Sequence, residues 1–309
     1  MSKVKTRIDA EIVLQFLHEK FDTSLTALTL LKGGELSEAF SAIGSGKRDL
    51  IIRVNNNPET FAKDRFAYEH FCSATVPIPE VLFTGKMDNM FVCVTERMEG
   101  QTFNSLISSE QMHIIPKMLD CLEEIHATDI YGTTGFGRWN GQGTGMFPTW
   151  KDAILNILKQ TIVNADWFSW EQLFQETPME RDMYAQVCKK IQELAKYLPE
   201  QRSLVHGDFG YDNLLVSGNA ITAVIDWGEA EYGDPLYDIA WLDFHSQGLP
   251  FNEQAKKRIA NMKHFDERLL CYKLCIGLGC LGFCTKAEKM EEYAATKESV
   301  LRLLAHAQS

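Results

Sequence analysis

The residues between Val205 and Asp238 are dense in Asp, Glu and Gly, and the most informative run among them is His206-Gly207-Asp208-Phe209-Gly210-Tyr211-Asp212-Asn213. An apolar stretch then ends in Ile225-Asp226-Trp227. Phosphoryl transfer leaves a protein little covalent chemistry to perform. It needs hard oxygen ligands for a divalent metal, one carboxylate at the acceptor hydroxyl, and cations on the phosphates. At this spacing Asp208 is the candidate catalytic base, orienting an acceptor hydroxyl and taking its proton, while Asn213 and Asp226 are candidate oxygen ligands of Mg2+. Taken singly, Asp208 and Asn213 are also good turn formers and Asp226 a common strand-end residue. Together, in register with His206 and Trp227, they point to one site.

A scaffold must hold these groups, and hydrophobic periodicity outlines it. Asp9 caps a helix reaching about Phe21, with Ile12, Val13, Phe16 and Leu17 on one face. Strands follow at 27–31, 37–43 and 50–54, the last two joined across Gly44-Ser45-Gly46. Asn57-Pro58 opens a second helix, which ends before Pro77 and Pro79 and leads to strands at 81–86 and 90–97, joined at Asp88-Asn89. After Gly100 helices are expected at 116–127, 149–160 and 179–198, with a Gly-rich stretch from 132 to 145, and short strands return at 204–205, 214–216 and 222–225. Strands first and helices later make an α+β chain of two lobes. Residues 1–98 would form a small antiparallel sheet lobe and 99–309 a mostly helical lobe carrying the catalytic segments, with Glu99-Gly100 as the hinge about which the two close.

The 309 residues are 45% hydrophobic, enough for a full core, which excludes a disordered chain. With 42 acidic and 31 basic residues the formal charge is -11, a field that repels nucleic acid and attracts cationic small molecules. Residues 1–7 are basic and polar with no apolar signal core behind them, and the longest apolar run, between Lys273 and Lys286, is shorter than a bilayer span. The expectation is a cytoplasmic monomer. Cys72, Cys93, Cys121 and Cys188 read as reduced core thiols, and the i,i+4 pairs among Cys271, Cys275, Cys280 and Cys284 as core rather than metal ligands.

The HGD run, the IDW strand end and Gly233-Asp234-Pro235-Leu236-Tyr237-Asp238 resemble the aminoglycoside phosphotransferase and choline-kinase-like superfamily. That likeness implies the bilobal protein-kinase-like fold, ATP and Mg2+ as cofactors, Asp208 as base, Asn213 and Asp226 on the metal, and Asp238 supporting the catalytic loop. Further stretches, Arg53-Val54-Asn55, Lys63-Asp64-Arg65, Pro77-Ile78-Pro79-Glu80-Val81, Gly135-Phe136-Gly137 and Thr149-Trp150, are similar to the hygromycin B branch of that family. The likeness puts Arg53 where most members carry a phosphate-binding lysine, with Glu69 as its partner, and runs the Glu96 to Met98 backbone past the adenine. An arginine fork suits phosphate oxygens, although a strand-end surface cation reads the same way. Gly33 to Glu38 can fold over the triphosphate with Ser37 facing phosphate, or form a plain hairpin turn.

An aminoglycoside substrate is a polycation, and Asp212, Glu229, Glu231 and Asp243 are the carboxylates near enough in sequence to receive its amines. Trp241, Phe244 and His245 are placed for an aromatic wall, with core packing the commoner role for the first two. The expected activity is ATP-dependent phosphorylation of an aminoglycoside hydroxyl, conferring antibiotic resistance. A metabolic kinase of choline, homoserine or a sugar shares this chemistry, and a catalytically silent nucleotide-binding regulator would share the fold.

Overall fold

The computed structural model describes residues 7–31, 34, 36–159, 169–246, 249–258 and 262–306. Asp9 caps α1 (Ala10–Lys20) by accepting the Glu11 N–H at 2.9 Å, and Val13 and Leu17 then face inward with no exposure. They pack on a five-stranded antiparallel sheet of β1 (Thr29–Leu30), β2 (Glu38–Ile43), β3 (Asp49–Asn55), β4 (Val81–Met87) and β5 (Met90–Glu96), in the order β1-β2-β3-β5-β4. Period-two alternation puts Leu50, Ile52 and Val54 into this core and turns Arg53 to the opposite face. Between β3 and β4 the chain forms α2 (Pro58–Phe71), capped by Asn57 with proline in its first turn. Its buried residues include Lys63, Asp64, Ala67 and Phe71.

Beyond Gly100 come β6 (Gln101–Thr102), α3 (Ser108–Ala127), β7 (Phe136–Trp139), β8 (Gly145–Phe147), α4 (Trp150–Leu155), α5 (Trp170–Glu176) and α6 (Arg181–Leu194). They are followed by β9 (Ser203–Val205), β10 (Leu214–Ser217), β11 (Ala220–Val224), β12 (Glu231–Gly233), α7 (Leu236–Phe244), α8 (Phe251–Arg258), α9 (Phe265–Lys286) and α10 (Met290–His306). Two small sheets, β11-β10-β6 and β8-β7-β12-β9, bracket the segments that carry Asp208 and Asp226. The α+β order of a strand-rich first part and a helical second part is therefore as expected.

Three local expectations need correction. The helix expected from Pro116 starts at Ser108 and holds Pro116 inside it, because Ile114, Ile115, Met118, Leu119 and Leu122 are all buried and outweigh the roughly 3 kcal/mol an internal proline costs. The Gly-rich 132–145 stretch conceals the β7–β8 hairpin. Its glycines are steric necessities, since a Cβ on Gly135 would lie 2.2 Å from the Gly145 carbonyl oxygen. Finally, the helix expected over 149–160 closes at Leu155, followed by a 3-10 turn over Asn156–Leu158, and Gln160 lies outside the described residues.

Helix α9 is long and apolar enough to cross a membrane by length and composition, yet 67% of its most apolar window is buried against the rest of the chain. Its four cysteines follow that pattern: Cys271, Cys275 and Cys284 are buried and Cys280 is half-buried. Cys93 and Cys121 are core thiols and Cys188 is half-buried, but Cys72 is exposed at the end of α2 rather than packed, because it caps the helix outside its apolar stripe.

Candidate active site

The run His206-Gly207-Asp208 leaves the buried strand β9 and is fastened from behind by Asp238 of α7. That fully buried carboxylate accepts the backbone N–H groups of His206 at 3.0 Å and Gly207 at 2.8 Å, and faces His126 Nε2 at 2.9 Å. Gly207 turns with φ +79°, and a Cβ there would sit 2.5 Å from the Glu229 carbonyl oxygen. The buried His206 ring bridges the two halves of the motif: Nε2 lies 3.2 Å from the Ile225 carbonyl and Nδ1 accepts the Asp208 N–H at 3.3 Å. Burial depresses its pKa against the opposing pull of Asp238 and Asp226, so the neutral ring donates from Nε2 and accepts at Nδ1.

Asn213 closes the loop by donating Nδ2 to both the Asp208 carbonyl at 2.9 Å and its Oδ2 at 2.8 Å. The Asn213 backbone carbonyl takes the Ile225 N–H at 2.9 Å, which fixes β10 and β11 beside it. Asp226 follows in a left-handed conformation, φ 60° and ψ 72°, with its side chain 46% exposed. Burial holds the Asp208 carboxyl well above the usual carboxylate range, with the charges of Asp226 and Glu229 adding to the effect and the Asn213 hydrogen bond opposing it. Asp208 and Asn213 are thus joined within one loop, and the charge of Asp226 reaches Asp208 from the end of β11.

Helix α2 supplies the other wall. Arg53 reaches from β3 to an ion pair with Asp64, lies 3.9 Å from Asp226 Oδ1, and rests over the Phe61 ring at 5.2 Å. Asp64 also accepts the Trp227 N–H at 2.9 Å, immediately after Asp226. The expected Arg53–Glu69 pairing is therefore replaced by Arg53–Asp64. Glu69 is exposed, because five residues along a helix rotate a side chain by roughly 140° away from Asp64. Lys63 is a second residue that motif reading did not assign. Its buried ammonium donates to the carbonyls of Gly228 at 2.6 Å and Ala230 at 3.0 Å and sits 4.8 Å over Trp139, and burial pushes its pKa down to about 8. The Lys63-Asp64 pair next to the apolar stripe of α2 was the available signal.

The remaining candidates are more dispersed. Ser37 Oγ accepts Asn55 Nδ2 at 3.2 Å at the start of β2, while Gly33 and Glu35 lie outside the described residues. Glu96 exchanges hydrogen bonds with the Glu80 backbone at 3.0 and 3.1 Å, which spends its side chain on the connector and leaves half-buried Met98 to follow. Glu229 and Glu231 both face Arg138, the first in a close ion pair and the second at 3.9 Å. Burial raises Glu231 to about 7 despite that cation. Asp243 is paired with Lys273 at 2.5 Å, and Asp212 is exposed. Trp241 and Phe244 pack on the core, with the Trp241 ring centroid 4.4 Å from that of His245.

The donor chemistry fits a hard divalent cation. Asn213 commits its NH2 to Asp208, which leaves the amide oxygen available as a ligand atom beside the carboxylates of Asp208 and Asp226. Arg53 beside Asp226 adds a fork suited to phosphate oxygens.

A model of the phosphotransferase enzyme family matches residues 27–262, and the chain belongs to that family. Over 282 residues it is 37% identical to hygromycin-B 4-O-kinase of Escherichia coli, covering 89% of this chain and 79% of that protein. A thermostable mutant of aminoglycoside phosphotransferase APH(4)-Ia superposes in its apo form with a TM-score of 0.84 at 34% identity, over 95% of this chain and 98% of that one. A ternary complex of that protein with ADP and hygromycin B gives 0.83 at 33% identity over the same shares. The GDP complex of aminoglycoside 2'-phosphotransferase-IIIa, 15% identical with a TM-score of 0.69, shares the fold. The protein-kinase-like architecture anticipated from the HGD and IDW motifs is thus the architecture of this chain.

Proposed function

We propose that this phosphotransferase moves the γ-phosphoryl group of ATP onto a hydroxyl of a hygromycin B-like aminoglycoside, as a soluble cytoplasmic monomer. The observation that carries the reading is the hydrogen-bonded Asp208–Asn213 pair within reach of the Asp226 charge, with Arg53 3.9 Å from Asp226, in a chain 37% identical to a hygromycin-B 4-O-kinase. Asp208 accepts the hydrogen bond of the acceptor hydroxyl and takes its proton as the new P–O bond forms. Its raised proton affinity suits that task. Asn213 and Asp226 would hold Mg2+, which when bound neutralises charge on the phosphates. Arg53, oriented by Asp64 and Phe61, grips phosphate oxygens, and the backbone from Glu96 to Met98 flanks the adenine. Residues 1–98 form the nucleotide side and 99–309 the acceptor side of the cleft.

The acceptor is a polycation, and the chain's -11 charge draws it in. Exposed Asp212 is the carboxylate open to its amines, while Arg138 tempers Glu229 and Glu231 and Lys273 tempers Asp243. A coupled ADP-release assay with hygromycin B, other aminoglycosides and choline tests the proposal. Turnover should require an aminoglycoside and fall by orders of magnitude in Asp208→Ala with nucleotide binding retained. Asp226→Ala should weaken Mg-ATP binding as well. Turnover with choline alone would move the protein to a metabolic role.

A further inference from the structure

On the face of α2 turned away from Lys63 and Asp64 lies a cavity of about 330 Å³ between that helix and strands β4 and β5. Its walls are aromatic, from Phe61, Phe66 and Phe91, and two cations, Arg65 and Lys86, line it. Arg65 is oriented by a 3.1 Å hydrogen bond to Thr84 Oγ1, and Glu69 supplies the one carboxylate of the lining. The turn of the β7–β8 hairpin forms one edge, where Gly141 N–H is held at 2.8 Å by Glu59 of α2. None of Asp208, Asn213 or Asp226 lines it.

We propose that this cavity is an effector site for a small aromatic carboxylate, the rings packing among the three phenylalanines and the acid on Arg65 and Lys86. The volume falls within the range of small-molecule sites, and the lining combines apolar walls with a few convergent polar groups of one net sign. Phe61 couples the site to catalysis, because its ring lines the cavity and also carries the Arg53 guanidinium at 5.2 Å. An occupant that packs against Phe61 holds α2, and with it Arg53, Asp64 and Lys63, in the arrangement that faces Asp226. Occupation therefore tightens nucleotide binding, and by linkage nucleotide tightens the effector by the same factor.

Naphthalene-2-carboxylate is a suitable probe, titrated into the full chain by calorimetry and by ligand-observed NMR, with naphthalene-2-methanol as its neutral counterpart. The acid should bind saturably and at least about tenfold more tightly than the alcohol, the preference expected of a charge-assisted contact. The Arg65→Ala/Lys86→Ala variant should lose that preference while keeping its basal turnover, and Arg65→Lys should retain most of it. Saturating Mg-ATP should tighten the acid about fivefold, and saturating acid should lower the Mg-ATP Kd, measured by calorimetry, by the same factor. Equal affinity for acid and alcohol on the unmodified chain would overturn the site, whatever the fate of the variants. Undiminished preference in the folded double variant would do the same, and binding without a reciprocal shift in the Mg-ATP Kd would overturn the coupling. Turnover of an aminoglycoside in the absence of the acid is a separate readout, so a failure here is distinguishable from failure of the phosphotransferase reading.

Discussion

Replacing Lys63 by methionine should loosen the segment that carries Asp226. The ammonium is buried and makes two hydrogen bonds to the carbonyls of Gly228 and Ala230. Hydrogen bonds from a charged donor contribute about 1.5–3 kcal/mol each, so the pair gives about 3–6 kcal/mol. Against this, burial lowers the lysine pKa from 10.5 to about 8, which corresponds to roughly 3 kcal/mol spent on keeping it charged. Methionine fills similar volume, removes that cost and leaves both carbonyls without a donor. The net expectation is a loss of about 2 kcal/mol, seen as a fall of several degrees in Tm. The functional effect should be larger, because Gly228 is two residues from Asp226: the Mg-ATP KM should rise about tenfold with a smaller change in kcat.

The same residue gives a pH signature. Its folded pKa lies below its unfolded one, so between pH 8 and 10.5 the unfolded chain binds the extra proton, and stability contributed by this site rises with pH across that window. Melting curves of the parent and Lys63→Met at pH 8, 9 and 10 should therefore diverge, with the parent gaining. A constant difference in Tm, together with an unchanged KM, would falsify the assignment of Lys63 as the anchor of this loop.

Other substitutions probe the rest of the site. Asp208→Asn should abolish turnover yet raise the Tm of the nucleotide-free protein near neutral pH by a few degrees, about 1 kcal/mol. Its folded pKa is raised, so the carboxylate costs stability above its unfolded pKa, and the gain should shrink in melts run toward pH 5. Arg53→Lys keeps a charge but cannot span Asp64 and Asp226, and an Mg-ATP titration should show binding weakened about five- to tenfold. Arg268→Met leaves Asp234, fully buried and otherwise held by two guanidinium nitrogens, without its cation, and chemical denaturation should report a loss of about 3–5 kcal/mol.

Much of this protein can be derived from local order in the chain. The HGDxxxxN run makes Asp208 and Asn213 candidates because a tight loop hydrogen-bonds residues of that spacing to each other, and the IDW run adds Asp226 at a strand end beside it. Caps at Asp9 and Asn57 and the alternation of β2 and β3 are likewise short-range properties, visible without coordinates. What periodicity misjudged were competitions between local preference and burial. Pro116 looks like a helix start, and only the buried apolar residues around it show that the helix runs through. Glycines 135 to 145 look like a loop until two backbones are seen to touch.

The partners of the charged residues belong entirely to the tertiary fold. Nothing local distinguishes Asp64 from Glu69 as the carboxylate for Arg53, since the choice depends on which face of α2 meets β3 and the Asp226 loop. Lys63 bonds to carbonyls 165 and 167 residues away, and Glu229 and Glu231 find Arg138 from a distant hairpin. Chemistry of a site can be written into neighbouring residues, but its charge balance is set by segments that meet only when hydrophobic burial folds the chain, and that is where the sequence stops and the structure begins.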